Sequence, residues 1–220
     1  MPPPTWPLYN RTMTTFDNHC PDLAQLLPHI IADDALHARW LNSLSMMESV
    51  GARKIAAYVH PIEVDLITLQ HAFEEARHAY FLKKQIGKLK QTSPNYEPSY
   101  TLAPRASYRY LHKLDMSCAR YLSNAGKTGR DLKHGCYLLV TYLIEVRAMK
   151  LYGTYQAALD AAASRVHVKS IISEEEGHLT NMMAQLTAFN PEWHNMSDDL
   201  HAMEQHLYQN WLAQIKQQLN

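Results

Sequence analysis

Apolar residues recur at intervals of three and four along most of the chain, and in four segments the stripe they draw carries an acid. Leu41, Leu44, Glu48, Gly51 and Ile55 form the first stripe, and Val64, Thr68, His71, Glu75, His78 and Leu82 the second. Leu138, Tyr142, Glu145, Met149 and Tyr152 form the third, and Val168, Ile171, Glu175, His178 and Met182 the fourth. This is the period of helices with one face turned to a core. Residues 1–32, punctuated by Pro2, Pro3, Pro4, Pro7, Pro21 and Pro28, read as an arm with short helical pieces. Asp33 and Asp34 form an N-cap pair for a helix reaching about His60. A second helix is expected to hold Pro61 in its first turn and to end near Lys90. Residues 91–99 are loop. A helix over about 105–124 follows, closed by Gly126 and Gly129, then a long one from about Asp131 to Leu159. After a turn at 161–164, another helix reaches Phe189 before Asn190 and Pro191, and a last amphipathic helix spans about 197–219. With no strand pattern, the expected fold is all-α. Its parts are the arm 1–32, a four-helix unit 33–189 whose crossover 91–130 holds an extra helix, and a C-terminal helix within 190–220.

Composition adds exclusions. Lys+Arg equals Asp+Glu at 21 each, so no overall field draws the chain to nucleic acid or anionic membrane. Cys20, Cys118 and Cys136 form no close pair, which argues against a disulfide framework or a thiolate metal site. The N-terminal sequence lacks the pattern of a secretory signal, and no apolar run is long enough for a membrane span. The expected location is the cytoplasm. Thirteen histidines is the unusual count.

The pattern Glu-x-x-His occurs at Glu75–His78 and again at Glu175–His178. On a helix both side chains project from one face about a turn apart and can reach one metal ion. In a histidine-rich chain two such matches are within chance, so their setting must carry the argument. Glu48 is the only acid between Asp34 and Glu63, and Glu145 the only acid between Asp131 and Asp160. A buried unpaired carboxylate costs several kcal/mol or takes a proton, and a metal ion removes that penalty. All six residues lie on the stripes of their own helices. Folding each hairpin at its turn brings Glu48 level with Glu75 and Glu145 level with Glu175, about 20 Å from the turn. Glu48, Glu75, His78, Glu145, Glu175 and His178 are therefore the expected metal and catalytic residues. Glu74 and Glu174 are placed to accept the outer ring N–H of the histidine on the opposite helix, with Arg77 pairing one of them. Carboxylate and imidazole ligands without thiolate suit iron or manganese. The bland alternative is a bundle with buried ion pairs, or a degenerate site that binds no metal.

The order Glu48, Glu75–His78, Glu145, Glu175–His178, with the segment Glu74-Glu75-Ala76-Arg77-His78, resembles the ferritin-like di-iron carboxylate superfamily over about residues 33–189. The resemblance implies a ferritin-like four-helix bundle with a long crossover and two iron ions, a manganese–iron pair being the other option. It implies Glu75 and Glu175 binding one metal each or bridging, His78 and His178 as terminal ligands, and Glu48 and Glu145 completing the shells. Ferritins usually lack the second histidine, and rubrerythrins carry cysteine pairs absent here. The extra helix in the crossover is more like the oxygenases.

The resulting expectation is a di-iron oxidoreductase that activates O2 to oxidise a small organic substrate, with electrons from a separate donor. A ferroxidase or rubrerythrin-like peroxidase is the first alternative. An apolar pocket beside the acids favours oxygenase chemistry, whereas a solvent-open, carboxylate-lined approach favours iron or peroxide handling. The second alternative is a non-catalytic bundle that binds an acidic partner. The extra helix carries Arg105, Arg109, Lys113, Arg120 and Lys127 in a narrow arc, a solvated face or a dock for an acidic carrier or reductase. Without interleaved aromatics it is a poor nucleic-acid surface. A homodimer is compatible with the sequence. His71, one turn before Glu75, reads first as a hydrogen-bonded core histidine and second as a further ligand. His37 reads as structural, and Tyr142 and Tyr152 as core packing rather than redox tyrosines.

Overall fold

The computed structural model describes residues 20–92 and 95–219. Among them the regular structure is helical: α1 Pro21–Ala32, α2 Asp34–Tyr58, α3 Leu66–Lys88, a short 3-10 turn Pro98–Tyr100, α4 Pro104–Asn124, α5 Gly129–Ala161, α6 Lys169–Phe189 and α7 Trp193–Gln217. Residues 1–19 of the expected arm lie outside the described residues. The rest of that arm is α1, which buries Leu23, Leu27 and Ile30 against α2 and α5.

Two hairpins dominate the packing. Ser45 Oγ of α2 donates to the Ala79 carbonyl of α3 at 2.7 Å, Lys83 Nζ donates to Asn42 Oδ1 at 2.9 Å, and Gly51 faces Glu75. Residue numbers that rise on one helix fall on the other, so α2 and α3 run antiparallel. In α5 and α6, Gly135 meets Phe189 near one end, and Gln156 Oε1 accepts from the Val168 N–H near the other. A side chain at position 135 would place its Cβ 2.9 Å from the Phe189 ring, so glycine is what permits this approach.

The expected helix starts need two corrections. Asp33 caps α2, accepting from the Leu36 N–H at 2.8 Å. The second helix, however, begins at Leu66 rather than around Pro61. Asp65 is the better cap, because its carboxylate accepts from both the Thr68 N–H and the Thr68 hydroxyl. His60 Nδ1 meanwhile accepts from the Ile62 and Glu63 N–H groups, which satisfies the backbone of the turn. Val64 therefore stands outside the helix and is exposed, and the inward stripe begins at Thr68. The last helix starts at Trp193, earlier than expected.

The crossover helix α4 packs on α5 and α7 and touches α2. Behind it lies a buried polar knot. Arg147 of α5 donates to Glu204 of α7 through Nε at 2.9 Å and Nη2 at 2.6 Å, and Tyr110 of α4 donates to the same carboxylate at 2.6 Å. Among the described residues no helix is long and apolar enough to cross a membrane.

Candidate metal centre

The six expected residues come from four helices and converge. Glu48 comes from α2, Glu75 and His78 from α3, Glu145 from α5, and Glu175 and His178 from α6. All are buried except Glu48, which is partly so. Their donor atoms, together with those of His71, form two sets that could each hold a cation. His71, Glu75, Glu145 and His178 make one, and Glu48, Glu75, His78 and Glu175 the other, with the ligand atoms of each set within 4.8 Å of one another.

Local sequence explains the convergence. Each hairpin turn sits about midway between its two acids, which sets them level. The stripe residues around them (Leu44, Ile55, Leu82, Leu138, Ile171 and Met182) are buried and fix the helix faces. Gly51 makes room: a Cβ there would lie 3.3 Å from Glu75 Oε2, so the carboxylate approaches α2 through the space glycine leaves.

The histidines are held from outside. His78 Nε2 is 2.8 Å from Glu174, and His178 Nε2 is 2.8 Å from Glu74. Arg77 also pairs with Glu174. This cross-bracing matches the expectation for Glu74, Glu174 and Arg77, and it turns each inner nitrogen, Nδ1, toward the acids. His78 Nδ1 is buried with no hydrogen-bond partner and lies 3.2 Å from Glu175 Oε1. An inward imidazole nitrogen of this kind, with its opposite nitrogen tied to a carboxylate, is the arrangement metal-binding histidines require.

Electrostatics point the same way. Burial and the neighbouring carboxylates push Glu48 and Glu145 well above the usual carboxylate range. Burial also opposes ionisation of Glu175, but hydrogen bonds from Glu145 and His178 and the nearby charge of His78 hold it below that range. Burial lowers His178, yet Glu175, Glu74 and Glu75 overcome this and raise it to about 9. His78 is likewise raised against the effect of burial, chiefly by Glu175. Without cations Glu48, Glu145, His78 and His178 thus favour their protonated forms, and divalent ions would displace those protons.

Beside the acids lies a cavity of about 110 Å³ between α2, α4 and α5. Glu48, Glu75, Glu145 and Glu175 form its floor, and Leu44, Met47, Ile55, Leu111, Ile144 and Leu151 are among its apolar walls. Lys54 of α2, paired with Asp115 of α4, stands half-exposed at its rim.

His71, read first as a hydrogen-bonded core histidine, makes such a bond, and Tyr152, Tyr110 and Arg147 line the cavity over the acids. His71 lies 2.9 Å from Glu145 and 3.4 Å from Glu75, inside the cluster, and its place on the stripe was the signal. Tyr152 donates to Glu48 from the cavity wall, whereas Tyr142 packs against Trp193 in the core. Neither Tyr110 nor Arg147 carried a sequence signal, because their partner Glu204 lies on a helix remote in sequence. His37 is structural, 2.5 Å from the Tyr155 hydroxyl. On α4, Arg105, Arg109, Lys113 and Arg120 are exposed, whereas Lys127, expected on the same helix, lies beyond its end at Asn124 and stands over the Phe189 ring. Comparison of the chain with protein-family models, with curated proteins and with solved structures finds no match.

Proposed function

We propose that α2, α3, α5 and α6 form a ferritin-like four-helix bundle holding a dinuclear metal centre, and that the protein is a di-iron oxidase or oxygenase acting on a small, largely apolar substrate. The observation that carries this reading is the cavity: largely apolar side chains lead directly onto the carboxylates of Glu48, Glu75, Glu145 and Glu175. Iron or peroxide handling would be better served by a polar path for ions, and the walls here are mostly hydrocarbon, with Lys54, Thr141 and Arg147 among the polar exceptions. Four carboxylates also balance the charge of two divalent cations, which is the condition for burying both.

When bound, the two ions would supply the electrons and open coordination positions for reaction of dioxygen with a substrate C–H bond. The chain's own residues do the rest. Glu74 and Glu174 fix the ring orientation of His178 and His78. Tyr152 holds Glu48 by its hydroxyl. Leu44, Ile55, Ile144 and Leu151 exclude water from the space where substrate would lie. No flavin or nicotinamide motif is present in the sequence, so the electrons that would return the ions to the reduced state come from a separate donor. The exposed cations of α4, whose inner side roofs the cavity with Tyr110 and Leu111, suit an acidic one.

The test is metal counting on protein loaded anaerobically with ferrous iron, followed by admission of dioxygen. Two ions per chain and rapid dioxygen uptake are expected. Binding of less than one ion per chain at saturation overturns the metal reading. Dioxygen uptake that continues in proportion to added iron, with ferric product accumulating, transfers the assignment to a ferroxidase.

A further inference from the structure

The two halves of the cluster resemble each other around Glu75–His78 and Glu175–His178, and they differ one turn earlier. Four residues before Glu75 stands His71; four residues before Glu175 stands Ile171. Both are buried, at 3% and 1% exposure, so each fills an equivalent inward position with opposite chemistry.

We propose that His71 is a metal ligand, and that the dinuclear centre read above is therefore built of two unlike sites. One comprises His71, His178, Glu75 and Glu145, two imidazoles with two carboxylates. The other comprises His78, Glu48, Glu75 and Glu175, one imidazole with three carboxylates, Glu75 being common to both.

Distances carry the assignment. Ligands about 2.1 Å from one ion stand about 3–4 Å from each other in tetrahedral or octahedral geometry. His71 Nε2 is 2.9 Å from Glu145 Oε1 and 3.4 Å from Glu75 Oε1. His178 Nδ1 is 3.8 Å from that same Glu145 oxygen and 3.6 Å from that same Glu75 oxygen. Four donors from three helices therefore already stand at the separations a single ion imposes. The two rings lie with centroids 4.1 Å apart at an angle of 37°, both within reach of that pair of oxygens, with His178 Nδ1 also 3.0 Å from Glu175 Oε2. A histidine serving only the core would need one acceptor, and His71 is aimed between two.

The difference has a chemical consequence. Imidazole raises affinity for iron and the later first-row ions, whereas an oxygen-rich shell is the more tolerant of manganese. The two-histidine site fills first and favours iron. The three-carboxylate site, whose Glu48 is held by Tyr152, fills second and discriminates less.

The test uses the full chain, stripped of metal and refilled with the spin-active isotope of cadmium, with its histidines nitrogen-labelled. Two cadmium signals are expected, one coupled to two imidazole nitrogens and the other to one. Two signals each coupled to a single imidazole would overturn the proposal and leave the dinuclear reading intact. Absence of bound cadmium, iron and cobalt alike would remove that reading, and the proposal with it. In His71→Ala, checked for retained helicity, the tighter of the two sites weakens about tenfold or more, by analogy with other losses at metal shells. The His78-coupled ion remains. Unchanged affinity at both sites would also overturn the proposal.

Discussion

His178 Nε2 on α6 lies 2.8 Å from the Glu74 carboxylate on α3, so the outer face of one candidate ligand is fixed by the helix opposite. The hydrogen bond sets the ring's tautomer and aims Nδ1 at Glu175, 3.0 Å away. Glu74→Ala leaves the ring free to rotate and is expected to weaken metal binding by roughly ten- to a hundredfold. Glu74→Gln, which keeps an acceptor, should lose less. Competition with a chelator measures both. Equal affinities for Glu74→Ala and the parent chain would show that the brace is irrelevant to metal binding.

Gly51 separates fold stability from metal affinity. An alanine in the interior of α2 gains about 1 kcal/mol of helix propensity over glycine. Its methyl would meet Glu75 Oε2 at 3.3 Å, which obliges the carboxylate to move by a few tenths of an ångström. Gly51→Ala is thus expected to raise the melting temperature of the metal-free chain and to lower its metal affinity several-fold. A variant that is stabilised with full affinity would mean that Glu75 has slack the distances do not suggest.

Much of this centre was legible in the sequence because burial leaves marks on composition. A lone acid within an apolar stripe, as at Glu48 and Glu145, can be seen without coordinates. So can the pairing of Glu74 with His178, since helical geometry relates them through the level of Glu75 and Glu175. What was not legible depends on contacts between helices distant in sequence. The link from Arg147 to Glu204 joins α5 to α7, and nothing local to either residue announces it. The start of α3 was misplaced for a local reason: Asp65 with Thr68 outcompetes Pro61 as a helix start, and His60 stabilises the intervening turn. The cavity needs α4 laid across α2 and α5, a tertiary fact that periodicity does not encode.

The Arg147–Glu204 pair is nearly inaccessible, with side chains 9% and 4% exposed, and Arg147 also lies 3.9 Å over the Tyr208 ring. Removing one partner strands a buried charge, which costs about 3–5 kcal/mol. Glu204→Ala should therefore shift the urea midpoint strongly downward, whereas the paired change Arg147→Met with Glu204→Leu should cost much less. A loss under about 1 kcal/mol in Glu204→Ala would mean that Gln205, 2.6 Å from Arg147, compensates for the missing carboxylate.

The cavity predicts a ligand-binding phenotype independent of any reaction. At about 110 Å³, with largely apolar walls over a carboxylate floor, it is sized for small, largely apolar ligands. Small apolar molecules are expected to raise the melting temperature of the parent chain. Ala148→Phe, on the cavity wall, fills the space at a strain cost of about 1–3 kcal/mol and should abolish that rise while metal stoichiometry stays unchanged. An undiminished rise in the variant would place the ligand elsewhere.

His37 and His201 give the fold an acid sensitivity separate from the metal centre. Burial, only partly opposed by Asp34, lowers His37 to about 4. Burial with the nearby charges of Lys150 and Arg147 lowers His201 to about 3. Unfolded, each titrates near 6.5. Below that pH the unfolded chain takes up protons that the folded chain refuses, so stability falls as pH falls. The loss levels off only near the folded values. At pH 5 it is on the order of 2 kcal/mol for each histidine. Glu48 and Glu145, raised in the fold, act with the opposite sign, so the histidine contribution is read as a difference. Metal-free protein unfolded in urea at pH 7.5 and pH 5 should lose more stability than His201→Gln or His37→Gln under the same conditions. Parallel losses in parent and variants would show that these imidazoles are already protonated in the fold.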